Sequence, residues 1–427
     1  MKRIKITIIA SIILLMCSGE GFSENLPKIH GFVEEAFAPR FGSDDVRHRQ
    51  FNMAEGRLQL KTKYYFDDES ILSDWQTELS VKSDFVLDFY SAGKVLTDLR
   101  ELNVSFTPAD IVDVKIGRQV LTWGTGDYLF LNDLFPKDYI SFFIGREDEY
   151  LKKPSDALRV MFYPEWFNLD VAVVPFFEPD NTPTGYRLSF FDSFQGGIAG
   201  VNSERDIIEP SRTAKNMVYA GRAYRNFGSY ESALYYYRGF DPSPRSYKNE
   251  AGRQLYHERM DAYGGSVRGP VLGGIGNAEV SYYHSPEDNS GDIRTIQNSR
   301  TKYLIGYDKD MGNDLSLGFQ YYVEEIMDYN EYRRALLPAD YRWDEFRHVV
   351  TNRITKLLAG QTVRLSLFTF FSPTDLDAYI RPSIVWYVTD AWTLSVGANL
   401  PWGKDSWTEF GGMQKNKNVY VRLRYGF

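Results

Sequence analysis

The residues best placed to do chemistry in this 427-residue chain are cations that alternate with apolar side chains. Arg57, Lys61 and Lys63 alternate with Leu58, Leu60 and Tyr64, Lys115 with Val114 and Ile116, and Arg422 and Arg424 with Val421, Leu423 and Tyr425. Successive side chains of an extended strand point to opposite faces, so each run is an apolar face backed by a cationic one. Lys82, Arg159, Arg222, Arg238, Arg268, Lys302, Arg353, Arg364 and Arg381 extend the pattern. The clearest acids on the same faces are Glu78, Glu101, Asp113, Asp170 and Glu279. Arginine offers a planar fork that fits carboxylate or phosphate. A narrow, low-dielectric passage lined by one sign of charge enriches the opposite ion. The competing reading is that these cations pair with neighbouring acids and only stiffen a wall.

Other chemistries lack their residues. His30, His48, His257, His284 and His348 are scattered, and none has metal-ligand spacing. There is no Gly-x-Ser-x-Gly elbow and no phosphate-binding glycine loop. Asp127, Asp133 and Asp138 are oxygen ligands of the kind calcium takes, but their spacing matches no EF-hand, and Asp288–Asp292 reads as a surface turn. No catalytic residue, cofactor or metal is assigned. A net charge of −8 argues against nucleic acid as a partner.

The elements that carry the cations are short strands. They are expected at Ile29–Phe37, Arg57–Tyr64, Trp75–Val86, Leu99–Phe106, Ile111–Val120, Leu158–Phe162, Phe167–Val173, Met217–Phe227 and Tyr230–Arg238. The series continues through Arg259–Arg268, Ala278–Tyr283, Tyr303–Asp308, Leu315–Tyr321, Phe346–Leu358, Val363–Phe371, Tyr379–Val388, Trp392–Leu400 and Val419–Phe427. The tally is eighteen, or sixteen if weak strands merge. The first is the weakest, because Glu34 and Glu35 interrupt it. Tight turns such as Gly228-Ser229 and Ala359-Gly360 alternate with long connections near 125–155, 178–213, 239–256 and 326–344. That alternation predicts an all-β, antiparallel transmembrane barrel with short periplasmic turns and long extracellular loops. A soluble sandwich gives no reason for it.

The ends agree with a barrel. Lys2, Arg3 and Lys5 precede an apolar run from Ile6 to Met16, and Gly21-Phe22-Ser23 is a cleavage box, so residues 1–23 read as a signal peptide. Cys17 is the only cysteine; in a lipoprotein reading it would follow bulky Met16. Removing the leader leaves no thiol, which excludes thiol catalysis and disulfides from a mature chain in an oxidising compartment. The aromatic fraction of 16%, without long apolar runs, suits the aromatic girdles of a membrane barrel. Residues 24–427 are then one barrel domain.

The last strand, alternating and ending on Phe427, resembles the C-terminal signal of bacterial outer-membrane barrels. That resemblance implies outer-membrane lipid and the barrel-assembly machinery as partners. Gly117-Arg118-Gln119, followed by Trp123-Gly124, is similar to a segment of alginate-export-type and related porin-like families. There the segment opens a loop that folds toward the pore, and lumen arginines attract anionic sugar residues. Strict alternation puts Arg118 on the lipid side; a bulge at Gly117 would re-aim it to the lumen or the outer rim. The segment 124–155 is expected to enter and narrow the pore, because Leu129, Phe130, Leu134 and Phe135 are too apolar for a solvated loop. The function expected is passive diffusion of small anionic solutes, with Arg57, Lys61, Lys115, Arg118, Arg159, Arg364, Arg381, Arg422 and Arg424 lining the pore. The alternative is a barrel that sheathes or scaffolds a secretion or electron-transfer partner.

Overall fold

The computed structural model describes residues 27–41, 50–66, 71–89, 94–201, 203, 206–248 and 254–427. The leader, Cys17 and His48 lie outside the described residues. Eighteen antiparallel strands form one closed sheet. They are β1 (His30–Pro39), β2 (Phe51–Tyr65), β3 (Glu78–Asp88), β4 (Lys94–Ala109), β5 (Val112–Gln119), β6 (Ser155–Phe162), β7 (Asn168–Val174), β8 (Val218–Phe227) and β9 (Tyr230–Phe240). The others are β10 (Arg259–Val271), β11 (Gly274–His284), β12 (Arg300–Asp310), β13 (Leu315–Ile326), β14 (Phe346–Leu358), β15 (Val363–Ser372), β16 (Asp377–Tyr387), β17 (Trp392–Gly403) and β18 (Asn418–Gly426).

Closure joins β18 to β1, with Arg424 opposite Glu34 and Val421 opposite Phe37. Beyond the ladder, Gly31 and Phe427 exchange backbone hydrogen bonds of 2.9 and 3.0 Å. No edge remains to pair with another chain. Glu34 does not interrupt β1 as the sequence suggests. It faces inward between Arg57 of β2 and Arg424 of β18, so the sign of charge alternates across three strands. Glu35 takes the outward phase, beside Gly56.

Alternation sorts the two faces. Val33, Ile116, Leu234, Ile305, Ile384, Val421 and Leu423 are exposed on the outside. Their neighbours Glu34, Ala233, Leu304, Val385, Tyr420 and Arg422 are buried within. Arg238 departs from the expectation: it shares the outward phase with Leu234 and Tyr236, is 64% exposed, and lies 3.9 Å from Asp261.

The connections divide into two rims. The turn rim carries 66–77, 110–111, 163–167, 228–229, 272–273, 311–314, 359–362 and 388–391. Gly228 and Gly360 take the left-handed φ, 62° and 64°, that these tight turns require. The loop rim carries 120–154, 175–217, 241–258, 285–299, 327–345 and 404–417. The alternation of long and short is looser than the sequence suggests. Connections 89–93 and 373–376 on the loop rim are short, while 66–77 on the turn rim is long enough to hold helix α1 (Ile71–Asp74).

Candidate functional site

The segment 120–154 leaves β5 and packs against the inner face of the barrel as a strap. Its apolar side chains explain why: Leu121, Leu131, Phe135, Phe142, Phe143, Ile144 and Leu151 are all buried. They complete two clusters with wall residues, one including Leu304, Phe368, Phe370 and Tyr379, the other including Ala172, Ala220 and Tyr235. Trp123 packs edge-on against Phe135 at 4.9 Å and donates its indole N–H to Asp170 at 2.9 Å.

One carboxylate fixes the start of the strap. Glu279 on β11 accepts four hydrogen bonds, from the backbone N–H and hydroxyl of Thr125 and from the backbone and side-chain N–H of Asn132, at 2.8 to 3.0 Å. Tyr283 on the same strand donates to the Leu131 carbonyl at 2.5 Å. Lys137, buried, donates to Asp133 at 3.0 Å and to the Phe135 carbonyl at 2.6 Å, closing the turn that follows. Helix α2 (Tyr139–Ile144) then begins under an Asp138 cap and ends at Gly145. Gly145 has φ of 90°, and a Cβ there would fall 2.4 Å from the Tyr420 ring, so only glycine lets the strap approach β18 this closely.

The next residues meet the cationic wall in turn. Arg146 forms a forked pair with Glu55 at 2.6 and 2.8 Å. Glu147 accepts from Arg424 at 2.7 Å and lies 3.7 Å from Arg422. Asp148 lies 3.1 Å from Arg381 and accepts from the Tyr128 hydroxyl. Glu149 lies 2.8 Å from Lys82. Burial alone would raise the Glu149 carboxyl, but its hydrogen bond and charge pairing with Lys82, helped by Arg100, hold it below its ordinary value. Tyr150 ends the run, with Arg57 and Arg100 over its ring at 4.2 and 4.8 Å.

The expected pore residues therefore separate. Arg57 is buried against Asp84 and Glu55 at 2.5 and 3.0 Å. Arg159 holds Asp170 at 2.6 Å, the carboxylate Trp123 also uses. Arg381, Arg422 and Arg424 meet the strap, and Arg424 also pairs with Glu34 at 2.7 Å. Lys61, Lys115 and Arg364 face inward, Lys61 opposite Lys82, and none of their side chains has a hydrogen-bond or ion-pair partner among the described residues. Arg118 sits at the loop rim. Gly117 has φ of 120°, yet the ladder keeps its phase, opposing Arg118 to Leu102 and Asp156. The Arg118 side chain donates to the Leu99 carbonyl at 2.6 Å and lies 3.2 Å from Asp156 and 3.5 Å from Glu178.

Sequence reasoning passed over Glu55, Arg100 and the run Arg146-Glu147-Asp148-Glu149. The signal was there: four charges in succession, just after the apolar run Tyr139–Ile144. Asp127, Asp133 and Asp138 do not converge as a calcium site would. They serve Arg353, Lys137 and the cap of α2 respectively. A second loop also reaches inward, where Leu188 and Ser189 are buried and Ser189 bonds Asn416. On the loop side of the strap, Arg300 pairs with Asp241 at 3.0 Å and with Glu324 at 3.2 Å. Burial and the adjacent Asp241 charge push the carboxyl of Glu258, just before β10, up to about 8.

Known structures share this architecture. OccAB4 of Acinetobacter baumannii superposes with a TM-score of 0.56 at 10% identity, over 96% of this chain and all of that one. OccK11 (OpdR) of Pseudomonas aeruginosa superposes with a TM-score of 0.54 at 8% identity, over 94% of this chain and 96% of that one. The likeness is one of fold, a porin-like eighteen-stranded barrel. No family model and no curated protein matches the sequence.

Proposed function

We propose that the chain is a passive channel of a bacterial outer membrane, not an enzyme, and that small solutes cross its lumen beside the strap with anions favoured. The observation that carries this reading is the strap itself. A charged segment anchored across the inside of a closed barrel with an apolar exterior divides the lumen without lending the molecule a catalytic group. The strap acts as the constriction. The anion preference is assigned to Lys61, Lys115 and Arg364, whose side chains form no ion pair among the described residues. Acidic sugars, the solutes implied by the likeness to alginate-export-type barrels, fit the same sign. Arg118 is committed at the rim and takes no part.

Reconstitution in planar bilayers under a KCl gradient tests the proposal. The expected result is a stable conductance with a reversal potential on the anion side; a cation-selective pore would overturn the solute class. The second reading, a sheath around a partner, draws on the inward packing of both 120–154 and the segment around Leu188, and is favoured if the folded barrel conducts nothing.

The signal peptide at 1–23 and recognition of the last strand by the assembly machinery belong to the same proposal. Phe427→Asp is expected to cut the amount of folded, heat-modifiable barrel in the outer membrane. Normal amounts would remove the terminal aromatic from the assembly signal.

A further inference from the structure

The outer wall is not uniformly convex. Across β8 to β12 it holds a groove of about 970 Å³ whose floor is made of small outward residues, Ala223, Gly265 and Ala278. Leu234 and Ile305 stand up as its ridges, 70% and 57% exposed. The groove begins at the turn rim, between Trp166 of the 163–167 turn and Phe227 at the end of β8. It then climbs obliquely to Ile305, five residues short of the turn end of β12 at Asp310. That is roughly 17 Å along the strand at ~3.4 Å per residue, comparable with an extended fatty-acyl chain.

Its polar end is equally specific. Arg225 lines the groove beside Phe227, with its guanidinium 5.5 Å from that ring. It is exposed on the outward phase and has no ion pair among the described residues. A lone cation at the rim and an apolar slot running from it toward the barrel's mid-height reproduce the order of a lipid, head then tail. A protein partner needs no such polarity. Filling the slot also removes exposed apolar surface and offsets an unpaired arginine at the membrane interface.

We propose that this groove binds one phospholipid of the leaflet on the turn-rim side, its phosphate at Arg225 and one acyl chain over Ala223, Gly265 and Ala278. The inference rests on the membrane-spanning reading of the barrel and is independent of conduction.

The test is native mass spectrometry of the full barrel, extracted from phosphatidylethanolamine–phosphatidylglycerol vesicles and stripped with excess detergent. Wild type is expected to retain one phospholipid. Gly265→Leu should lose it, because a Cβ at Gly265 meets its nearest neighbours at an ordinary 3.5 and 3.6 Å and the longer side chain fills the slot. Arg225→Ser should lower the retained fraction several-fold. Heat-modifiable mobility and vesicle insertion of each variant establish the membrane reading separately; should Gly265→Leu fail to insert, the comparison stands on Arg225→Ser. Equal retention by wild type and variants, or none by inserted wild type, overturns the site. An oligomer of wild type that Gly265→Leu dissolves would overturn it as well, assigning the groove to a second copy.

Discussion

Two sets of cations share the inner wall and behave as opposites. Lys82, Arg381, Arg422 and Arg424 lie at the level of the strap, and each faces an acid of 147–149. Lys61, Lys115 and Arg364 also face inward, Lys61 directly opposite Lys82, yet none of them pairs with an acid among the described residues. In the sequence both sets read alike, as basic residues on the polar faces of alternating strands. Their difference is one of pairing: Glu149 of the strap meets Lys82 and not Lys61 beside it. The first set is already neutralised, so it holds a loop in place and contributes little net field. The second leaves its charge to the lumen. A count of basic residues therefore overstates how strongly such a pore attracts anions; what matters is the cations left over after the loops have folded in.

The largest expected effect comes from removing the strap. Deleting residues 127–150 should raise single-channel conductance several-fold. It should also increase anion preference, because the first set then loses its acids and joins the second. A well-folded deletion with unchanged conductance would show that the strap does not lie across the path.

A smaller effect separates the sets directly. Glu147→Gln with Asp148→Asn and Glu149→Gln should shift the reversal potential toward anions and lower stability. Removing one partner of a well-buried pair costs about 3–5 kcal/mol, and these partly exposed pairs should fall below that range. Lys61→Ser with Lys115→Ser and Arg364→Ser should shift the potential the other way and leave unfolding unchanged. The latter shift should fade with salt, since the Debye length falls from about 10 Å at 0.1 M to about 3 Å at 1 M. Shifts of the same sign from both triple variants would dissolve the distinction between the sets.

The alternation that makes strands was legible, and so was the barrel, because a period of two is local information. β18 illustrates it: Val419, Val421, Leu423 and Tyr425 point out, and Tyr420, Arg422 and Arg424 point in. The partners of those arginines were not legible. Glu147 precedes Arg424 by 277 positions, and nothing local indicates that a loop after β5 will reach the closing seam. Glu34 shows the same limit from the other direction. It reads as a flaw in β1 until closure supplies an arginine on each side. Gly117 misleads in a third way. A glycine there promises a bulge that re-aims Arg118, but the ladder keeps its phase, and Arg118 finds its partners at the rim instead.

The smallest expected effect asks whether an acid near a cation is necessarily charged. Glu258 lies close to Arg300, but Arg300 is already paired with Asp241 and Glu324. Burial and the Asp241 charge push its carboxyl up to about 8, partly opposed by Arg300 and Arg245. The folded value therefore lies above the unfolded one, about 4.3. A group of this sign stabilises the folded loop fully below the unfolded value, and the contribution is lost as pH rises through about 8. Burial holds the neighbouring His257 below its ordinary value, so it stays neutral across that window. Amide exchange of 241–258, corrected for intrinsic rate, should accelerate in wild type between pH 7 and 9 as ionised Glu258 repels Asp241. In Glu258→Gln it should stay flat. If wild type and variant run parallel over that range, Glu258 is ionised throughout, and the loop-rim acids are as fully matched by cations as those of the strap.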